Sequence, residues 1–211
     1  MGTLYDQSLR EIIKLSSSKS PTPGGGSISA IAAVLGLAMT AMVCNLTIGK
    51  DKYKDVESLV TGYLATAEGL TEKLMELTEN DIKIFNKLMS AYRRPRVAEE
   101  EKEARENAVQ EALKGATEIP MEMARVCLQA LQVTCRLSGI GNKAAISDAG
   151  VAAVMIEAAL NGALLNVDIN TPIIKDRNYT DRILAEKENM LKEAGKLKSQ
   201  ALAVVRERIG G

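Results

Sequence analysis

The sequence predicts an all-α fold, a bundle of long helices. No segment alternates apolar and polar residues with period two over the length of a strand, which argues against a sheet. Helical periodicity covers most of the 211 residues and is broken by short segments rich in glycine and proline. The length suits a single domain of ordinary size, and we assign residues 1–211 to one domain.

Three helices are expected in the N-terminal half. A short amphipathic segment, residues 4–15, precedes the sequence Pro-Thr-Pro-Gly-Gly-Gly-Ser at 21–27, which breaks any helix. Ser27 is a favourable N-cap for the next helix, an apolar run over 28–48. A longer periodic segment follows from about residue 53 to residue 92.

Three more helices are expected in the C-terminal half. The first covers residues 97–137, is heavily charged at its start, and ends at the turn 139–142. The second is an apolar segment over 147–167. After an expected loop over 168–179, a charged helix runs from about 181 to 208.

Composition excludes several functional classes. The chain has 27 Lys+Arg, 27 Asp+Glu, one Phe, no Trp and no His. A net charge of zero and few aromatic rings argue against nucleic-acid binding. The absence of His removes Ser-His-Asp catalysis and His-ligated metals, so acid–base chemistry needs a perturbed carboxylate, Lys, Cys or Tyr.

The cysteines indicate a reducing compartment. Cys44, Cys127 and Cys135 are an odd set that lies in apolar helical segments, which is typical of buried, reduced thiols in a cytoplasmic protein. Because the chain has no closely spaced cysteine pairs, we expect no metal site.

Two apolar segments allow a membrane-spanning alternative. Residues 20–49 carry no charge, and residues 150–167 carry only Glu157. Both segments are mildly hydrophobic and rich in small residues, which favours two core helices that bury each other over a bilayer span. No membrane association is therefore expected.

The helix over 53–92 contains one acid in an otherwise apolar seam. A carboxylate on such a seam is costly unless it is paired or protonated, and burial raises its pKa. Two alternatives stay open for Asp81: proton transfer, or a helical drift that carries it toward solvent. The seam, spaced alternately by four and three residues, comprises Val56, Val60, Tyr63, Ala67, Leu70, Leu74, Leu77, Asp81, Ile84 and Leu88.

A glycine-rich loop precedes the first apolar helix. Gly24, Gly25, Gly26 and Ser27 can present backbone N–H groups to a ligand, aided by the helix dipole. The alternative is a tight turn that lets two helices approach closely.

A polar turn precedes the second apolar helix. It presents Asn142, Ser147 and Asp148 near a helix start. Helix capping explains these residues as well as ligand binding does.

Together these segments resemble the cyclodeaminase/cyclohydrolase family of folate enzymes. This family forms the C-terminal part of bifunctional formimidoyltransferase-cyclodeaminases and also occurs as free-standing bacterial proteins. The motifs that carry the resemblance lie, in order, at residues 21–50, 80–85, 141–153 and 162–170.

The resemblance implies a helical homodimer that acts on one-carbon adducts of tetrahydrofolate without a metal or redox cofactor. The first expectation is cyclisation of 5-formiminotetrahydrofolate to 5,10-methenyltetrahydrofolate with release of ammonia. The alternative is hydrolysis of the methenyl compound to 10-formyltetrahydrofolate. A non-catalytic, folate-binding helical module is the third.

The resemblance also implies roles for individual residues. Asp81 matches the family's acid and is expected to be the proton donor, with Asp148 as a second carboxylate that stabilises a cationic product. Lys50 and the glycine loop are expected to orient the ligand, and Asn142 to hydrogen-bond the pterin. Arg93 is expected to bind the glutamate tail of folate, or else to be a solvated helix end.

Overall fold

The computed structural model describes residues 2–210, and every regular element within that range is helical. Short 3₁₀ turns flank or join the longer helices. This confirms the expected all-α bundle. The six α-helices are α1 (Leu9–Ser16), α2 (Gly25–Asn45), α3 (Glu57–Tyr92), α4 (Glu99–Ile140), α5 (Ile146–Asn170) and α6 (Arg177–Gly210).

Several helix boundaries differ from those expected, and two of the differences bear on the site. α2 begins three residues earlier, with Gly24 as its extended N-cap and Ser27 inside the first turn. Ser27 is therefore not the N-cap, because its hydroxyl bonds to another helix instead. The expected loop over 168–179 is also shorter, since α5 continues to Asn170 and a 3₁₀ turn, Thr171–Ile173, leads almost directly into α6.

Four helices form a closed ring around the core. α2 packs on α3 and α5, α4 packs on the same two helices, and α6 covers the groove between α4 and α5. α2 and α5 run antiparallel, because Gly162 of α5 lies against Ser29 near the start of α2, and Gly141, before α5, lies against Val43 near its end. This antiparallel packing decides which residues share an end of the bundle.

The helices of the ring differ in length. α2 has 21 residues, whereas α3 has 36 and α4 has 42. α3 and α4 therefore project past the start of α2, and a separate buried apolar cluster that includes Leu88, Leu113 and Ile174 holds their ends together. This arrangement leaves space beside the first turn of α2.

The two apolar helices pack on each other as expected. α2 and the region around α5 (Lys143–Ile173) are long and apolar enough to cross a membrane by length and composition, with mean hydropathies of 2.1 and 1.6. Their inner faces, which include Leu37 and Ile156, are fully buried in the bundle. Their outer faces still expose large apolar side chains, including Leu35 and Val154.

Two of the three cysteines are buried as expected. Burial raises the pKa of the Cys44 thiol to about 11 and that of the Cys127 thiol to about 12. Cys135 is only partly buried, in contrast to the expectation for all three.

Gly36 allows α2 to approach α5, and its replacement tests that contact. A Cβ atom at Gly36 would lie 2.7 Å from Ile156 Cγ1 and 3.3 Å from the Ala152 carbonyl oxygen, whereas one at Gly62 of α3 would meet nothing within 4 Å. We expect Gly36→Ala to lower the free energy of unfolding by about 1–3 kcal/mol. Gly62→Ala should raise it by about 0.5–1 kcal/mol. Urea denaturation measures both, and equal effects would contradict the packing argument.

Candidate active site

Asp81 lies where α3 passes the first turn of α2. Ser27 Oγ donates a hydrogen bond of 2.9 Å to Asp81 Oδ2. A Cβ atom at Gly26 would lie 2.9 Å from both carboxyl oxygens. The carboxyl group therefore rests directly on the α2 backbone, and only glycine at position 26 permits that approach.

The surroundings of Asp81 favour its neutral form. Burial raises the pKa of this carboxyl group, and the hydroxyl and backbone N–H of Ser27 lower it by less, so the pKa is raised above the ordinary aspartate value. Among residues 2–210, no lysine or arginine forms an ion pair with it. Asp81 is thus suited to hold a proton and to transfer it.

A cavity of about 340 Å³ extends from Asp81 along α3. It lies between α3, α4 and the end of α5, in the space that the short α2 leaves open. Most of its walls are apolar, and its polar lining besides Asp81 comes from Asn166 and Asn170 with the hydroxyl-bearing ring of Tyr92 at the far end. Its size and mixed lining suit a small organic ligand.

Asn166 and Asn170 were not among the expected site residues. They belong to the motif over 162–170, and their spacing of four residues puts both on one face of a helix. That spacing was the available signal. The sequence did not predict that Asn166 lies beside the glycine loop. Only the antiparallel packing of α2 and α5 brings Asn166 to within 4 Å of the Cβ position of Gly25.

The glycine loop lies beside Asp81, as the family resemblance implied. Gly24 is the N-cap of α2, and the first intrahelical bond runs from Ile28 N–H to the Gly24 carbonyl. The preceding N–H groups of the first turn therefore have no partner within the helix. Gly25 is exposed and Gly26 is buried, so the loop forms an edge of the site at the cavity.

Three expected site residues lie at the opposite end of α2. Asn142 contacts Leu46, one residue beyond α2; Lys50 follows shortly in the chain, and Asp148 is in the first turn of α5. A helix of 21 residues spans about 30 Å. Within one chain, the structure therefore does not bring these residues to Asp81.

The structure gives Asn142 a structural role, and its predicted contact with the pterin stays a prediction. Its Nδ2 donates to the Leu46 carbonyl at 2.8 Å, and its Oδ1 accepts from the Ala144 N–H at 3.1 Å and from the Tyr53 hydroxyl at 3.4 Å. Asn142 is buried and caps the 3₁₀ turn before α5. Its side chain joins the end of α2 to the turn before α5.

Asp148 and Lys50 require a similar correction within one chain. Asp148 is partly buried and cannot be the second carboxylate beside Asp81 of the same chain, because it lies at the other end of the bundle. Lys50 is exposed and lines a separate open depression with Asp51, Lys54 and Glu57.

Arg93 lies near the far end of the cavity without lining it. It is exposed and follows Tyr92, which does line the cavity. Arg105 of α4 donates to the Tyr92 carbonyl at 3.2 Å, so a second cation lies at the same end. Within residues 2–210, no group of three or more Cys, Asp and Glu side chains is arranged to hold a metal ion.

Two proteins of known name are similar to this chain in sequence. A protein from Methylorubrum extorquens named methenyltetrahydrofolate cyclohydrolase is 41% identical over 192 residues, which cover 91% of this chain and 92% of the relative. Formimidoyltransferase-cyclodeaminase of Rattus norvegicus is 30% identical over 203 residues. That match covers 96% of this chain, which spans just over a third (37%) of the rat protein.

A solved structure has the same fold over nearly its whole length. The formiminotetrahydrofolate cyclodeaminase of Thermotoga maritima superposes with a TM-score of 0.87 at 28% identity, covering 96% of this chain and 98% of the other. The family model described as formiminotransferase-cyclodeaminase matches residues 8–189. This chain therefore belongs to the formiminotransferase-cyclodeaminase family.

Proposed function

We propose that this chain is an enzyme that makes or hydrolyses the one-carbon bridge between N5 and N10 of tetrahydrofolate. The observation that carries the proposal is the carboxyl group of Asp81, held with a raised pKa at the edge of an apolar cavity. Hydrolysis of 5,10-methenyltetrahydrofolate is favoured, because a relative that is 41% identical over nearly the full length bears that name. Cyclodeamination is the second candidate, supported by the Thermotoga maritima structure.

In the hydrolytic reaction, one carboxyl group serves as base and then as acid. Ionised Asp81 takes a proton from water as the water oxygen bonds to the methenyl carbon. Protonated Asp81 then gives that proton to N5 as the bond between carbon and N5 breaks. The hydroxyl group that water formed on the one-carbon unit then loses its proton to solvent, which gives the formyl group of 10-formyltetrahydrofolate. A pKa raised toward neutrality suits a group with both tasks.

In the deaminating reaction, the same group acts as the acid. N10 bonds to the formimino carbon, and the bond from that carbon to its terminal nitrogen breaks. That nitrogen begins as =NH, receives the N10 proton and the Asp81 proton, and leaves as ammonia. The carboxylate that remains stabilises the methenyl cation beside it. Neither reaction requires a metal or a redox cofactor, and we propose that the enzyme uses none.

Both reactions can be followed through the absorbance of the methenyl compound. We expect the purified protein to accelerate its disappearance in water, its formation from 5-formiminotetrahydrofolate, or both. If it accelerates neither, the proposed function is wrong. Full activity after dialysis against a chelator is expected.

Asp81→Asn should abolish catalysis and preserve the fold. Loss of the transferable proton should lower kcat by about 10²–10⁴. Because the pKa of Asp81 is raised in the fold, the stability that its protonated form contributes is present below the ordinary value of 3.8 and is lost as the pH rises through the raised value. The uncharged amide avoids this loss, so the variant should unfold at the same or a higher temperature at pH 7. Asp181→Asn, at an exposed position of α6, is the control and should leave kcat unchanged.

Ser27→Ala should shift the pH dependence of the rate. The Ser27 hydroxyl stabilises the carboxylate of Asp81 and lowers its pKa, so its removal should move the Asp81 limb of the pH–rate profile to higher pH. Ser29→Ala is the matched control, because the Ser29 hydroxyl donates to the Gly25 carbonyl in the same helix. If the Asp81 limb of the pH–rate profile lies at the same pH in Ser27→Ala as in Ser29→Ala, the Ser27 hydroxyl does not affect the pKa that limits the rate.

We also propose that a second copy of the chain covers the outer faces of α2 and α5. Leu35 and Val154 are 49% and 45% exposed, and they lie at one level because Gly36 packs against Ile156. The only charged residue in the apolar run of α5, Glu157, pairs with Lys198 of α6 at 3.3 Å. The faces are therefore apolar and without net charge, so the same surface is complementary to itself.

Light scattering after gel filtration tests this interface. We expect a dimer for the native chain and a monomer for Val154→Glu, since the interface would bury the new carboxylate. Leu59→Glu is the control, because Leu59 is 51% exposed on α3, outside these faces, and should leave the dimer intact. A native monomer would contradict the proposal, as would binding of the native chain to lipid vesicles through the same face.

A further inference from the structure

We propose that the cavity between α3, α4 and α5 binds the pteridine ring of the folate, with Asn166 and Asn170 as hydrogen-bond acceptors for its N–H groups. This inference rests on the proposed function. It adds which part of the substrate the cavity holds and which residues position it.

The hydrogen bonds of the two asparagines fix the direction of their amide groups. Asn166 Nδ2 donates to the Gly162 carbonyl at 3.0 Å, and Asn170 Nδ2 donates to the Ala116 carbonyl at 3.0 Å. Because a carbonyl oxygen only accepts, the amide nitrogen must face it and Oδ1 must face away. Among the described residues, no group donates to either Oδ1. Both oxygens are therefore free to accept from a ligand.

These acceptors lie along one side of the cavity. Asn166 and Asn170 are separated by one helical turn on α5, Asp81 lies at one end of the cavity, and Tyr92 lies at the far end. The remaining walls include Ile84, Leu88 and Leu113, which are apolar. A ligand that fits should be flat and apolar on its faces, with hydrogen-bond donors on its edge.

Of the two ring systems in tetrahydrofolate, only the pteridine meets this requirement. The reduced pteridine carries N–H groups at N3 and N8 and an exocyclic amino group. The benzoyl ring of the methenyl compound has C–H groups on its edge, and the N10 atom attached to it bears no hydrogen. A benzoyl ring in the cavity would leave the asparagine oxygens without donors, which disfavours binding.

Fragment binding to the complete protein distinguishes the two ring systems. The probes are 6-methyltetrahydropterin, p-aminobenzoylglutamate and tetrahydrofolate, each titrated calorimetrically without turnover. We expect Asn166→Leu to weaken binding of the pterin and of tetrahydrofolate at least tenfold, with p-aminobenzoylglutamate unaffected. Asn166→Asp retains an acceptor and should bind the pterin better than Asn166→Leu does.

Asn161→Leu is the matched control. Asn161 lies on the same helix and donates from Nδ2 to the carbonyl four residues earlier, as Asn166 does, but it does not line the cavity. It should bind all three probes as the native chain does. Equal pterin affinity of native and Asn166→Leu proteins would overturn the inference, as would a loss confined to p-aminobenzoylglutamate. If neither fragment binds measurably, equal affinity for tetrahydrofolate would overturn it.

The result is independent of the proposed reaction. A native chain that binds the pterin through Asn166 but turns over neither adduct would contradict the reaction alone. Turnover with a pterin affinity insensitive to Asn166 would contradict the cavity assignment alone.

Discussion

The site depends on the contact between the Asp81 carboxyl group and the first turn of α2. This contact removes the carboxyl group from water, which raises its pKa, and it supplies a hydrogen bond from the Ser27 hydroxyl that holds the carboxyl group in place. Gly26 is part of the same constraint, since any larger residue would push the carboxyl group away. One contact thus sets both the position and the proton affinity of the acid.

The same contact explains the position of the cavity. α2 begins opposite Asp81, and α3 continues from there to Tyr92 beside α4. The space that a longer α2 would fill is instead open and lined by α3, α4 and α5. The start of α2 therefore has two effects on Asp81. It supplies a hydrogen bond to the carboxyl group, and because the helix extends no further, it leaves a cavity of ligand size beside that group.

Local patterns predicted the helices and singled out Asp81 as the one acid in an apolar seam. Periodicity of 3.5 residues found the seam, and the one acid in it is the residue that α2 covers. The separation of Asn142 and Asp148 from Asp81 could not be predicted this way. This separation follows from the antiparallel packing of α2 on α5. That packing is a long-range contact, and helical periodicity carries no information about which helices pack together or in which direction. A segment that resembles a functional motif of the family can also connect helices. The Asn142 side chain does so through its three hydrogen bonds to Leu46, Ala144 and Tyr53.

Asn166 and Asn142 illustrate why residue type alone does not identify a binding residue. In Asn142, both ends of the amide are engaged by the protein, so its oxygen has no free acceptor position for a ligand. In Asn166, a carbonyl of its own helix engages only the nitrogen, which orients the amide and leaves the oxygen free. An amide held at one end is preorganised, since it loses little rotational freedom when a donor arrives. A free acceptor beside an acid that can hold a proton is the arrangement that an N–H-rich ring with a reacting nitrogen requires.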